Sequence, residues 1–188
     1  MISSMEDVSL GTIIFVENSL FMRLLLLVLF FAGSFAVQSQ SARELDARNG
    51  FKDIKLLTNV NDISSLEFAG NNKSEENQAY YKPKSGQYTS IGEVPIKSLK
   101  VLTYDNLIYE IEITCAKDPQ LFRGLEKAFG KATHSVKDNL YHWNTSQVSL
   151  TFGSVGKKKV QLVYYAYGIK AIMKSDANKK IEDLSTEF

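Results

Sequence analysis

Cysteine and histidine are scarce in this chain of 188 residues. Cys115 is the only cysteine, so an intrachain disulfide is impossible and the fold must be stabilised by its core. His134 and His142 are the only histidines. Their spacing matches neither an HExxH motif nor a tetrahedral ligand set that includes the single cysteine. We therefore expect no metal centre, and because no nucleotide-binding motif is present either, we expect no cofactor.

Positive and negative charges are nearly balanced, because the chain has 22 lysines and arginines and 21 aspartates and glutamates. A domain that binds nucleic acid or an anionic membrane surface normally carries a clear basic surplus. The balance therefore predicts no nucleic-acid partner, and it is otherwise silent about partners.

One long apolar run is present, from Met22 to Ala36, with the sequence MRLLLLVLFFAGSFA. It has the parts of a secretory signal peptide: Arg23 at a positive start, an apolar centre, and the small residues Ser34 and Ala36 before a cut after Ala36. The apolar stretch falls short of the ~20 residues that span a bilayer. We therefore predict a secreted or periplasmic protein without a stable membrane anchor after cleavage, and residues 1–21 as a non-native upstream extension.

The chain beyond the predicted cut divides into a leader and one domain. Residues 37–49 are polar and lack an apolar period, so they are expected to form a flexible leader. Residues 50–188 are expected to form a single α+β domain, because this length is typical of one domain.

Two neighbouring segments, residues 96–104 and 107–115, predict antiparallel strands joined by a tight turn at Asp105 and Asn106. The second segment alternates clearly between polar and apolar residues. One face of the sheet is therefore expected to be wet and the other packed. The apolar face of the second strand comprises Tyr109, Ile111, Ile113 and Cys115.

The clearest helix signal follows these strands. Asp118 is a good N-cap, Pro119 suits the first helical position, and Gly130 suits the end of the helix. The apolar residues between them recur at helical spacing, so this helix is expected to cover the dry face of the sheet. They are Leu121, Phe122, Leu125, Ala128 and Phe129.

The remaining segments complete the predicted fold class: α+β, with an antiparallel meander sheet covered on one face by a helix. Thr58 or Asn59 is expected to cap a short N-terminal helix. The turn-rich segment 70–78 is expected to be a surface loop. Further strands are expected near residues 140–143, 148–152 and 160–167, and a C-terminal helix over residues 169–184.

Few residues in the sequence suggest a catalytic role. Alternation places Cys115 on an apolar strand face, where a free cysteine behaves as a small hydrophobic residue. The alternative is a small secreted hydrolase in which Cys115 meets His134 or His142 in space. Glu110 and Glu112 share the polar strand face, either as solvated side chains or as a working carboxylate pair. No catalytic residue is identified, and an enzyme is the less favoured interpretation.

Tyrosine is the outlier in composition, with nine in the chain. Tyr165 and Tyr167 share one face of the last predicted strand. Tyrosine on a wet sheet offers flat amphipathic area to a partner, so these two residues are the candidate contact face. The alternative is that they pack beneath the C-terminal helix.

Two segments resemble a known family. Residues 125–143, LEKAFGKATHSVKDNLYHW, resemble the helix, glycine, turn and tryptophan-containing strand of SmpA/OmlA-type outer-membrane assembly lipoproteins and the related beta-lactamase-inhibitor-like domains. Residues 51–66, FKDIKLLTNVNDISSL, are similar to their opening strand and short helix. Ala132 stands where that pattern usually has proline, and the lipidated cysteine is absent. The resemblance implies a bacterial, non-enzymatic module that binds a protein on an exposed sheet face, and we expect an exported, soluble binding or inhibitor-like module.

Overall fold

The computed structural model describes residues 43–72 and 77–188. The predicted signal peptide, the upstream extension and the first part of the predicted leader lie outside the described residues. Among the described residues, no helix combines the length and the apolar character needed to cross a membrane.

The described elements follow one another in a mixed α and β order. They are α1 (residues 43–48), β1 (Gly50–Phe51), β2 (Ile54–Lys55), a 3-10 turn (Val60–Asp62), β3 (Leu66–Asn71), β4 (Gln78–Pro83), β5 (Ser90–Ile91), β6 (Val94–Tyr104), β7 (Leu107–Ala116), α2 (Pro119–Phe129), β8 (Thr133–Ser135), β9 (Leu140–Asn144), β10 (Val148–Ser154), β11 (Lys159–Ala166) and α3 (Ile169–Ser185).

The predicted α+β class with a mainly antiparallel sheet is confirmed. Within the described part of the chain, β3 to β11 form a nine-stranded sheet with the order β3-β4-β6-β7-β11-β10-β9-β8, and β5 pairs with β6. Two meanders, β3 to β7 and β8 to β11, are joined by the antiparallel pairing of β7 with β11. The chain therefore leaves β7, passes through α2 to the far edge at β8, and returns strand by strand.

The inner face of the sheet, which we define as the face beneath α2, carries the main core. Ile111, Ile113 and Leu162 are almost fully buried there. The helix has the predicted start, with Asp118 as N-cap accepting a hydrogen bond from the backbone N–H of Gln120. Its buried side chains are Leu121, Leu125 and Phe129, three members of the predicted apolar stripe.

The outer face of the sheet carries a second, smaller cluster under the first half of α3. Tyr104, Tyr109 and Ile169 are buried in it, and Tyr165 is among the half-buried residues that pack against it. The expectation that Tyr109 shares the face of Ile111 is wrong, because a β-bulge opposite Leu102 moves Tyr109 to the outer face. The Tyr104 hydroxyl is hydrogen-bonded to Asp176 of α3. The C-terminal helix is present as predicted, but from Ala177 onward its residues are exposed.

The expected flexible leader is wrong for residues 43–49. Residues 43–48 form α1, and Leu45 is 1% exposed in the main core. Arg48 and Glu44 form an ion pair along the helix, and the Asn49 N–H donates to the Leu45 carbonyl. A single leucine in a polar segment gives no period, yet its burial in the core and the hydrogen bond from the Thr145 hydroxyl to Asp46 hold α1 to the domain.

The short N-terminal helix lies at α1 rather than after Asn59. Asn59 does act as an N-cap, accepting from the backbone N–H of Asn61, but only a 3-10 turn follows. The next element is β3, which begins at Leu66. The predicted loop at residues 70–78 is also shorter than expected, because β3 extends to Asn71 and β4 begins at Gln78.

Candidate functional site

Cys115 lies on the inner face of β7 and is fully buried. It faces Ile96 on β6 and Val160 on β11. Burial raises the pKa of the thiol to about 11, so the nucleophilic thiolate is disfavoured at neutral pH. This environment is that of a small core residue.

The two histidines are not brought to Cys115. His142 lies on β9, three strand spacings from β7, and His134 on β8, four spacings away. At ~4.8 Å per spacing these are separations of about 14 and 19 Å. His134 contacts the Asn139 side chain at 3.2 Å. Nε2 of His142 lies 3.5 Å from Asp138 without hydrogen-bond geometry.

Glu110 and Glu112 share the outer face of β7, as the alternation predicts. Their neighbours across the strands are Leu102 and Tyr165 for Glu110, and Lys100 and Val163 for Glu112. Partial burial, together with the hydrogen bond and the charge of Glu112, raises the pKa of Glu110 to about 7. Lys100 opposes this shift. The pair holds a proton near neutrality, but no cleft surrounds it among the cavities found within the described residues.

The raised pKa of Glu110 predicts that the stability of the fold depends on pH. Between its ordinary pKa of 4.5 and its folded value of about 7, the native state binds a proton that the unfolded state has released. The free energy of unfolding is therefore expected to fall as pH rises through this window and to level off above it. The full shift corresponds to ~3 kcal/mol, which solvent screening of this partly exposed carboxyl reduces to about 1 kcal/mol.

Urea denaturation at pH 5, 6, 7 and 8 measures this effect. Glu110→Gln should flatten the profile, whereas Glu93→Gln, at an exposed carboxyl elsewhere, should leave it unchanged. Parallel profiles for the wild type and Glu110→Gln would contradict the assignment.

The candidate contact face is divided between two environments. Tyr165 is half-buried and packs against the outer cluster, as Ile172 and Met173 of α3 do, and its ring lies edge-on to that of Tyr109 at 6.2 Å. Tyr167 is 37% exposed, and its ring lies 6.0 Å from that of Tyr165. The packing alternative thus describes Tyr165, and Tyr167 is the accessible member of the pair.

A cavity of about 730 Å³ lies on the inner side, between α2, the β1–β2 hairpin and the segment from Ile91 to Val94. Leu162 and Tyr164 of β11 also line it. Its volume is within the range of about 300–1,000 Å³ for small-molecule sites. The walls are mainly apolar and include Phe51, Ile91, Val94, Leu121, Leu125 and Phe129.

Two glycines shape this cavity. Gly50 opens the β1–β2 hairpin at φ +137°, and a Cβ there would lie 2.2 Å from the Ile54 carbonyl oxygen. Only glycine therefore allows the hairpin to close this tightly. Gly124 lies on the exposed side of the cavity wall formed by α2, and no heavy atom lies within 4 Å of a Cβ built on it. The missing side chain leaves the mouth of the cavity open.

The most unusual polar group in the cavity is the hydroxyl of Tyr164. The residue is 4% exposed, and the described residues provide no hydrogen-bond partner for its hydroxyl. Burial raises the pKa of this phenol, and the positive charge of Arg48, another lining residue, opposes the increase. Among the described residues the only fully enclosed unpartnered side-chain atom is Nε2 of His142, so the Tyr164 hydroxyl opens into the cavity and is available to a ligand.

The rim of the cavity carries both signs of charge, with an excess of cations. The charged lining residues are three cations and two acids: Arg48, Lys52, Lys55, Glu93 and Asp118. Arg48 is paired with Glu44, and its guanidinium carbon lies 5.4 Å from the centre of the Phe129 ring. The two lysine ammonium groups instead donate to backbone carbonyls of Ser90 and Arg48.

Comparisons with known proteins give no relative: no family model matches, and no curated protein or solved structure is significantly similar to the chain. The resemblance to the outer-membrane assembly lipoproteins therefore stays a prediction. The cavity was not predicted from the sequence. Alternation places Tyr164 on the inner face, but empty space beside it depends on segments that are distant in sequence.

Proposed function

We propose that this chain is an exported, non-enzymatic binding module and that the cavity beneath α2 is its principal recognition site. Export rests on the segment from Met22 to Ala36. The observation that supports the binding site is the unpartnered Tyr164 hydroxyl within a cavity of about 730 Å³. A large apolar cavity with a few convergent polar groups is the usual form of a ligand site.

The arrangement of reactive groups favours binding over catalysis. Cys115 is buried far from either histidine, and among the described residues no cluster of ligating side chains is suited to a metal ion. The cavity itself offers donors and apolar surface, with no paired nucleophile and base. Recognition and retention of an apolar molecule are the chemistry that this arrangement supports.

Binding of the neutral apolar dye Nile red tests the proposal. The wild-type protein should bind it saturably with one site per chain. Gly124→Leu should weaken binding at least tenfold, because the new side chain enters the cavity mouth without a backbone clash. The replacement also favours helix over glycine, so the variant should stay folded.

Arg123→Leu is the matched control, since it adds a leucine on the adjacent, exposed position of α2 that does not line the cavity. It should bind Nile red as the wild type does. Absence of saturable binding, or equal binding by Gly124→Leu, would reject the cavity as the recognition site.

A second candidate is recognition of a protein partner at the outer sheet face. The exposure of Tyr167 and its contact with Tyr165 support it. A photo-crosslinking amino acid at position 167 should capture one defined partner protein in the exported fraction, and the same amino acid at the exposed Lys131 should not. Identical capture at both positions would count against this face.

A further inference from the structure

The mainly apolar cavity contains two hydrogen-bond donors, Tyr164 and Arg48. Tyr164 provides a hydroxyl that opens into the cavity and has a proton to donate but, within the described part of the chain, no acceptor. Arg48 lines the same cavity, and only its Nε is engaged by Glu44. Two donors with unused capacity therefore face the same region.

The cations nearby are only partly neutralised. Lys52 and Lys55 have carbonyl partners, and neither forms an ion pair with a carboxylate of the described residues. Of the two acids at the rim, Asp118 is used as the N-cap of α2. An anion would gain from these cations, whereas a cation would be repelled by them.

The remaining surface of the cavity is apolar and extends along α2. Leu121, Leu125 and Phe129 occupy successive turns of that helix, and Phe51 closes the opposite side. This row matches a hydrocarbon chain rather than a compact polar molecule, since each buried methylene contributes about 0.8 kcal/mol to binding.

We propose that the cavity binds an amphiphile with one carboxylate, of the fatty-acid class, with its acid held by Tyr164 and Arg48 and its chain along α2. This inference rests on the proposed binding function and adds the chemistry of the ligand. The carboxylate supplies the acceptor that the Tyr164 hydroxyl lacks, and charge-assisted hydrogen bonds of this type are the strong ones.

Displacement of Nile red by a matched series of C12 amphiphiles, each below its micelle concentration, tests the ligand class. Dodecanoate should compete at least tenfold better than dodecanol, and dodecylamine should compete least. Equal competition by dodecanoate and dodecanol would overturn the proposal for an acidic ligand, although cavity binding would stand. Failure of Nile red itself to bind would instead reject the proposed function.

Two substitutions test where the carboxylate of the ligand binds. Tyr164→Phe and Arg48→Gln should each weaken dodecanoate about ten- to a hundredfold, as expected for loss of a hydrogen bond to a charged group, and should change dodecanol little. Arg43→Gln, at an exposed position on the same helix that does not line the cavity, is the matched control.

Tyr164→Phe removes only a hydroxyl oxygen that has no protein partner and opens into the cavity, so its thermal midpoint should stay close to that of the wild type. Unchanged dodecanoate binding by this folded variant would overturn the placement of the acid. Dye binding that declines as protein concentration rises would show a second copy seated in the cavity and would also contradict it.

Discussion

Trp143→Ala is expected to lower the free energy of unfolding by about 4 kcal/mol. Trp143 is 5% exposed in the main core, and its ring lies 6.0 Å from that of Phe122 on α2. Its indole N–H donates to the Gly130 carbonyl at 2.7 Å, at the end of the same helix. Truncation leaves a large cavity and removes this hydrogen bond, and buried tryptophan-to-alanine changes typically cost ~3–5 kcal/mol.

Urea denaturation monitored by far-UV circular dichroism measures this loss. Trp143→Phe is the matched control, because it keeps most of the apolar volume and removes the donor, and it should cost about 1–2 kcal/mol. A loss below ~1 kcal/mol for the alanine variant would mean that the ring is not part of the core.

Gly50→Ala is expected to destabilise the protein by about 3 kcal/mol. Gly50 adopts φ +137°, and its new Cβ would meet the Ile54 carbonyl oxygen, a backbone atom, at 2.2 Å. The hairpin can relieve this contact only by moving its strands apart. Backbone conformations of this kind are nearly restricted to glycine and cost ~1–3 kcal/mol for other residues, with the clash in addition.

Gly86→Ala separates the two contributions. Gly86 also has a positive φ, of +81°, but no heavy atom lies within 4 Å of its added Cβ. This control should lose about 1 kcal/mol, the conformational part alone. If both variants are equally destabilised in urea, the close approach within the β1–β2 hairpin does not exist in solution.

Much of the fold could be predicted from the sequence where the signal is local. The helix from Pro119 to Phe129 has a cap, a proline and an apolar stripe within one segment, and its bounds are those expected. The hairpin of β6 and β7 likewise follows from alternation and the Asp105–Asn106 turn, where both residues have positive φ.

Features that depend on contacts between residues distant in sequence could not be predicted in the same way. Leu45 gives no period, so α1 was expected to be leader, and its helix depends on a core built by later segments. The pairing of β7 with β11 also has no local signal. The candidate site is of this second kind: Arg48, Tyr164 and α2 meet only through the tertiary fold.

The antiparallel pairing of β7 with β11 joins the two meanders, and we call it the seam. It affects the order in which parts of the chain fold. Each meander is built from contacts that are local in sequence, but the seam joins Cys115 to Val160 across the whole return of the chain. Contacts of this kind require closure of a long loop and are expected to form late in folding. The strand that carries Tyr164 meets α2 only once the seam has closed, so partly folded chains lack the cavity. Ligand binding at the proposed site would then act on the native state alone, and occupancy would measure what fraction of the chains has completed folding.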